Sequence, residues 1–420
     1  MSESKKRSHL TTSVHGGEPR SYPYDALAAP IAQTATYSFA NTEELIHYFE
    51  GRIERMEYGR YGNPTVALVE KKVAALEGVE DAAAFASGMA AVTLTILSVV
   101  EQGSHVILFA DCYRRTRQFV TKFLSKFGVT ATLVPPSDIA ALADAIRPET
   151  RLVISEAPTN PYQNVPDLDA IAELVRARRK DRQKIYSMID STFATPINLR
   201  PCEHGIDLVV HSATKYLGGH GTTLAGVVVE GGKFPWDNGK FPGMTEPSKG
   251  YHGVRFYETF GDFGFTMRCR MENLRVYGAS LQPTAAWQIL QGVEALPLRM
   301  ERHCSNALAV AQHLRAHPAV SWVNYPGLPE HPQHALLNRQ MRGASGLLAF
   351  GVKGGLAPGV KFIESAQFMS HLVNIGDTRT LISHPASTTH RQLDDDQQRA
   401  AGVLPDMIRM SVGLEHIDDI

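Results

Sequence analysis

The chain has 420 residues, 43% of them apolar and 20% charged, a composition that folds around a sizeable core and excludes disordered and fibrous classes. That length exceeds what one hydrophobic core usually supports, so two packed units with terminal arms are expected. Lys and Arg number 42 against 43 for Asp and Glu, so no global field favours nucleic acid or an anionic membrane, and small-molecule chemistry is expected instead.

The opening MSESKKRSHLTTS lacks the apolar core of a signal peptide, and no stretch approaches the roughly 20 apolar residues that span a bilayer. Cys112, Cys202, Cys269 and Cys304 form no CxxC pair, so neither a disulfide framework nor a metal site is expected, and a cytoplasmic setting fits. Residues 1–63, rich in Gly, Pro, Tyr and Ser, read as an extended arm that wraps something else. From Pro64 the pattern turns helical, with Val66, Val69, Val73 and Leu76 on one face and Gly78 just past the end.

Short apolar runs then alternate with helical stretches: AAAFA ahead of Ser87, HVILFA at 105–110, RLVISEA at 151–157, KIYSMID at 184–190 and IDLVVHS at 206–212. Such alternation predicts a mostly parallel sheet sandwiched by helices. The basic run 176–184 reads as a solvated helix face. Residues 231–265, full of Gly, Pro and aromatics, read as a long ordered loop. Helical patterns at 283–316 and strand candidates at 346–352 and 407–414 suggest a smaller α+β unit. The expected division is an arm over 1–63, a large domain over 64–265 and a C-terminal domain over 266–420.

In an open α/β sheet, ligands sit beyond the carboxyl ends of the strands. Ser87, Gly88 and Met89 follow one such end and open a helix, which suits an anion such as phosphate, although a plain strand-to-helix turn would read the same. Asp190 closes an apolar strand; it needs either a cation or protonated nitrogen as partner, or a role as a helix cap. Ser212, Thr214 and Lys215 follow the next strand, where burial would lower the lysine pKa and free its amine as a nucleophile. Hydroxyls and amides for a phosphate, a carboxylate for a pyridinium nitrogen and an amine for an aldehyde are together what pyridoxal phosphate (PLP) requires.

The segment HSATKYLGGH, within a likeness running from VHGGEPR to SVGLEHIDDI, resembles the Cys/Met-metabolism PLP-dependent enzymes. The resemblance implies fold type I, with a seven-stranded sheet in the large domain, and a homotetramer built from two active-site dimers. It implies Lys215 as the lysine joined to the cofactor aldehyde, Asp190 as partner of the pyridine nitrogen, and Ser87, Gly88, Met89, Ser212 and Thr214 around the phosphate. Tyr58 and Arg60 would reach the phosphate in the neighbouring subunit. Tyr113 would stack on the ring and carry protons, Asn160 would lie near the ring hydroxyl, and Arg409 would clamp the substrate carboxylate.

Arg114 and Arg115 depart from the glycine that most members place after the tyrosine, and YRRTRQF resembles plant cystathionine γ-synthases. The C-terminal half instead resembles O-acetylhomoserine sulfhydrylases, with Val373, beside Asn374, where many cystathionine-handling members carry a glutamate. The activity implied is γ-replacement on an O-acetyl- or O-succinylhomoserine with sulfide or a small thiol, giving homocysteine. The alternatives are a γ-lyase acting on methionine, cystathionine or a γ-substituted amino acid such as canavanine, or a cystathionine γ-synthase.

Overall fold

The computed structural model describes residues 7–180, 185–237, 239–389, 391, 394, 398 and 402–420. The end of the basic run, 181–184, and the first six residues lie outside them, as do His390, Gln392 and Leu393 of the sulfhydrylase-like tail.

Seven strands form the larger sheet: β1 (Ala82–Phe85), β2 (His105–Phe109), β3 (Thr130–Val134), β4 (Thr150–Glu156), β5 (Tyr186–Asp190), β6 (Leu208–His211) and β7 (Gly226–Glu230), in the order β1-β7-β6-β5-β4-β2-β3. Only β7 runs against its neighbours, so the sheet is mostly parallel, as expected. Every residue of β1, β2, β6 and β7 is buried, because helices cover both faces of a parallel sheet and leave no polar side. The carboxyl ends of β1, β2, β4, β5 and β6 therefore share one edge, and Glu156 is directly opposite Asp190 there.

The helix expected from Pro64 runs Pro64–Glu77. Asn63 Oδ1 accepts from the N–H of Thr65 at 2.9 Å, and Gly78 closes the helix with φ 76°, a left-handed turn that glycine takes without steric cost. The patterns at 283–316 resolve into Pro283–Glu294 and Leu296–Ala316. A second sheet joins β8 (Val320–Asn324), β9 (Leu347–Val352), β10 (Ser370–His371), β11 (Leu381–Ser383) and β12 (Met407–Ser411) in the order β10-β11-β12-β9-β8.

Two expectations change. The stretch 231–265 is not a plain loop: it contains the helices Pro242–Thr245 and Phe256–Phe260 and enters a third at Gly264. Its aromatics pack on Tyr186 of β5, with Phe234 at 4.0 Å and Trp236 at 4.6 Å between ring centroids. Burial of aromatic area, which no periodicity announces, orders this segment. The N-terminal stretch likewise holds helices at His9–His15 and Thr42–Phe49. The first is tied to its own chain by the buried Lys72, whose Nζ donates to the carbonyls of Ser13 (3.2 Å) and Val14 (2.7 Å) and to Glu18 Oε1 (2.5 Å).

Candidate active site

Ser87 caps the helix Gly88–Val99 by accepting from the N–H of Ala90 at 3.1 Å. The N–H groups of Gly88 and Met89, in the first turn, have no carbonyl behind them to bond. A Cβ added to Gly88 would lie 2.6 Å from Cβ and Oγ of Ser212, and one on Gly226 would lie 2.2 Å from the carbonyl oxygen of Ser87. The turn after β1 is thus pressed against the turn after β6, and two glycines make that approach possible. Thr214 Oγ1 accepts from the N–H of Ala225 at 3.1 Å, which fixes the second turn.

Asp190 is half-buried at the end of β5, and desolvation of its carboxyl raises its pKa. Its Oδ1 accepts from the N–H (3.0 Å) and hydroxyl (2.5 Å) of Thr192. It does not cap a helix: Ala194 holds the cap position of Thr195–Asn198. The Thr192 hydroxyl also accepts from the N–H of Ser212 at 2.8 Å, linking the carboxylate to the Ser212 turn. Beside Asp190, Glu156 is pushed well above the ordinary carboxylate range by burial, by Asp190 and by Asp111. Glu156 Oε2 accepts from the backbone N–H of Tyr113 at 2.8 Å and so sets where that ring starts.

Lys215 Nζ donates to Asn374 Oδ1, on the loop between β10 and β11. Burial, and then the nearby Arg409 charge, lower the Lys215 pKa to about 8. Arg409, in β12, is 8% exposed and its guanidinium has no carboxylate within ion-pair distance among the described residues. Its Nη1 donates to Asn160 Oδ1 at 3.2 Å and its Nη2 to the carbonyl of Asn374 at 3.3 Å. A buried cation held only by neutral acceptors is a receptor for an anion, and its fork fits a carboxylate. Tyr113, Asn160, Val373 and Arg409 line one cavity of about 230 Å³, into which the Tyr113 ring, 41% exposed, can reach.

Tyr58 and Arg60 are not part of this cavity. Arg60 lies over the rings of Tyr61 (4.9 Å) and Tyr58 (5.2 Å), donates to the carbonyl of Arg275 and lines a separate hollow with Asn63 and Arg270. Three contributors escaped the sequence reading. They are Glu156, Asp111 and Thr192; the available signal was that Glu156, like Asp190, closes an apolar strand.

The residues present fit PLP on three observations: a turn of free amides that a Cβ at Gly88 would close, a desolvated carboxylate without a cation bonded to it, and a desolvated amine. A mostly parallel sheet that gathers these at its carboxyl edge defines a PLP enzyme of fold type I. The chain belongs to the Cys/Met metabolism PLP-dependent enzyme family, which it matches over residues 10–420. It is 41% identical to an O-acetyl-L-homoserine sulfhydrylase of Leptospira meyeri, over 98% of this chain and 94% of that protein. It is 40% identical to a homocysteine synthase of Schizosaccharomyces pombe, over 98% and 95%. Among solved structures it is similar to a Campylobacter jejuni protein described as an O-acetylhomoserine (thiol)-lyase, solved with N'-pyridoxyl-lysine-5'-monophosphate. The TM-score there is 0.93, at 32% identity over 98% and 97% of the two chains.

Proposed function

We propose that this chain catalyses γ-replacement on an O-activated homoserine, with sulfide or a small thiol as acceptor and homocysteine as the sulfide product. The observation that carries the reading is the hydrogen-bonded run Asn160–Arg409–Asn374–Lys215, which sets a carboxylate receptor beside a desolvated amine. The names of the relatives point the same way.

PLP, when bound, supplies an electron sink for negative charge developing at the α- and β-carbons of the amino acid. Gly88 and Met89 N–H groups with the Ser87, Ser212 and Thr214 hydroxyls would hold its phosphate, Asp190 its ring nitrogen, and Asn160 would lie near its hydroxyl. Arg409 takes the substrate α-carboxylate as a bidentate pair and fixes the α-carbon near Lys215. Lys215 moves the α-proton, an assignment its lowered pKa suits because far more of the amine is neutral near pH 7 to 8 than in an ordinary lysine. Tyr113 faces the same cavity and would carry a proton near the leaving group. The Cγ–O bond breaks with its electron pair leaving on the acyl group, and a Cγ–S bond forms to the incoming sulfur.

Tyr58 and Arg60 act, in this reading, at the phosphate of a neighbouring subunit, so the working unit is a dimer and two dimers make a homotetramer. A cytoplasmic setting suits an enzyme whose acceptor and product are reduced sulfur compounds. Incubating the holoenzyme with O-acetylhomoserine, with and without sulfide, tests the function. Homocysteine that depends on sulfide supports it, whereas 2-oxobutanoate dominating at saturating sulfide would replace it with the γ-lyase reading.

A further inference from the structure

The larger sheet has a second edge, opposite the one that gathers Asp190 and the turn before Lys215. Strand β7 runs backwards and ends there at Glu230, level with Leu208, the first residue of β6. A cavity of about 350 Å³ opens at this edge, and six carboxylates line it against a single ammonium, that of Lys233. Two of the six are engaged by guanidiniums. Asp81 accepts from Arg270 Nη1 (2.6 Å) and Nη2 (2.7 Å), and Glu203 accepts from Arg200 Nη1 at 3.3 Å. Glu80 and Asp262 are exposed, and no cation of the described residues lies within ion-pair distance of them.

The remaining two, Glu77 and Glu230, are 0% and 5% exposed. Each uses one oxygen. Glu77 Oε1 lies 2.6 Å from His211 Nε2, and Glu230 Oε1 accepts from the Tyr186 hydroxyl (2.7 Å) and Trp236 Nε1 (3.2 Å). The Oε2 of each has no hydrogen-bond partner among the described residues. A buried carboxyl oxygen left without a partner costs stability, and an ammonium entering from the cavity supplies one. A metal ion is the poorer fit, because no three His, Cys, Asp or Glu of the described residues are grouped to hold one. Phe263 adds a ring to the wall, a surface suited to an organic cation. We infer that this cavity binds a small organic polycation, an aliphatic diammonium, with one ammonium at Glu77 and Glu230 and the other at Glu80 and Asp262. It shares no residue with the Tyr113–Arg409 cavity.

Isothermal titration of the holoenzyme with 1,4-diaminobutane tests the site, with butylamine and Mg²⁺ titrated separately. The diamine should bind once per chain and more tightly than either, leaving the visible absorbance of the bound cofactor unchanged. Lys233→Ala removes a competing ammonium and should tighten binding. Glu230→Gln should weaken it by about tenfold or more, the scale of a charge-assisted hydrogen bond. Burial holds the Glu230 carboxyl up at about 8, so the amide copies its protonated form and keeps an acceptor for Tyr186 and Trp236. Should that variant fail to fold, Glu80→Gln with Asp262→Asn, both at exposed positions, should weaken binding by about threefold. Affinity indifferent to these changes, heat that tracks a change in cofactor absorbance, Mg²⁺ binding more tightly than the diamine, or no heat at millimolar diamine would each overturn the inference.

Discussion

Asn374 touches both sides of the chemistry: its side-chain carbonyl accepts from Lys215 Nζ, and its backbone carbonyl accepts from Arg409 Nη2 at 3.3 Å. The proposed base and the proposed clamp are therefore held by one residue, which lies on neither sheet. Arg409 also helps to lower the Lys215 pKa to about 8, so the amine is mostly neutral above that pH and mostly protonated below it. Attack on an aldehyde needs the neutral form. The rate at which apoenzyme regains visible absorbance on mixing with PLP should rise with pH, by about tenfold per unit at low pH, and level off near 8. A rise continuing towards the ordinary lysine value would contradict the desolvated site. Lys215→Ala should show no such absorbance and no turnover.

Gly88→Ala tests the cradle. Its Cβ would sit 2.6 Å from Ser212 Cβ and Oγ, and 2.9 Å from Ser212 Cα, so backbone must shift and not merely a flexible side-chain tip. Overpacking of this kind costs about 1 to 3 kcal/mol. Thermal unfolding of the apoenzyme should report that cost, and PLP affinity should fall as the two turns part. Unchanged affinity would show that the Gly88 turn does not face the cofactor phosphate.

Asp190 and Lys215 were legible in the sequence because each ends or follows an apolar strand, where a charged group stands out. The pairing of Glu156 with Asp190 was not, since it depends on which strands are neighbours, and strand order is not written in local pattern. The aromatic packing of Phe234 and Trp236 on Tyr186 was hidden for a similar reason: rings that meet across some fifty residues leave no period. Asn374 and Arg409 were reached only through resemblance, because nothing local marks a loop asparagine or one arginine in a strand. Asp190→Asn should keep the fold and most PLP binding. It should lower kcat by at least about 100-fold, within the range for losing a positioned proton partner. A kcat near wild type would remove Asp190 from the ring nitrogen.

Arg60 contacts Tyr58, Tyr61 and the carbonyl of Arg275 in its own chain and is not among the residues lining the Tyr113–Arg409 cavity. If it completes a neighbour's site, Arg60→Ala and Lys215→Ala subunits are each inactive or weak alone but complementary together. Unfolding and refolding them in equal mixture should return activity towards about a quarter of wild type, because half the dimers are hybrids with one intact site. An Arg60 serving its own chain yields no intact site in any hybrid, and the mixture would stay as weak as its parts.

In the proposed reaction acceptor choice would turn on Val373, which lines the Tyr113–Arg409 cavity and is 55% exposed. A second amino acid such as cysteine brings an ammonium and a carboxylate into that space. Arg115 offers the carboxylate a partner, but the described lining residues include no carboxylate for the ammonium, and an apolar side chain cannot pair with it. Leaving one such group unpaired costs on the order of 1 to 3 kcal/mol, which corresponds to roughly 5- to 150-fold in kcat/KM. Sulfide carries neither group and escapes the penalty. With one homoserine ester held constant, sulfide should therefore exceed cysteine by that factor, and Val373→Glu should narrow the gap by giving the ammonium a partner while repelling anionic sulfide. Both shifts push the ratio in one direction, which separates a specific effect from general damage to the site. Cysteine matching sulfide in the wild type would make cystathionine synthesis the better account of the cavity, and a gap indifferent to Val373→Glu would move the origin of acceptor choice away from this wall.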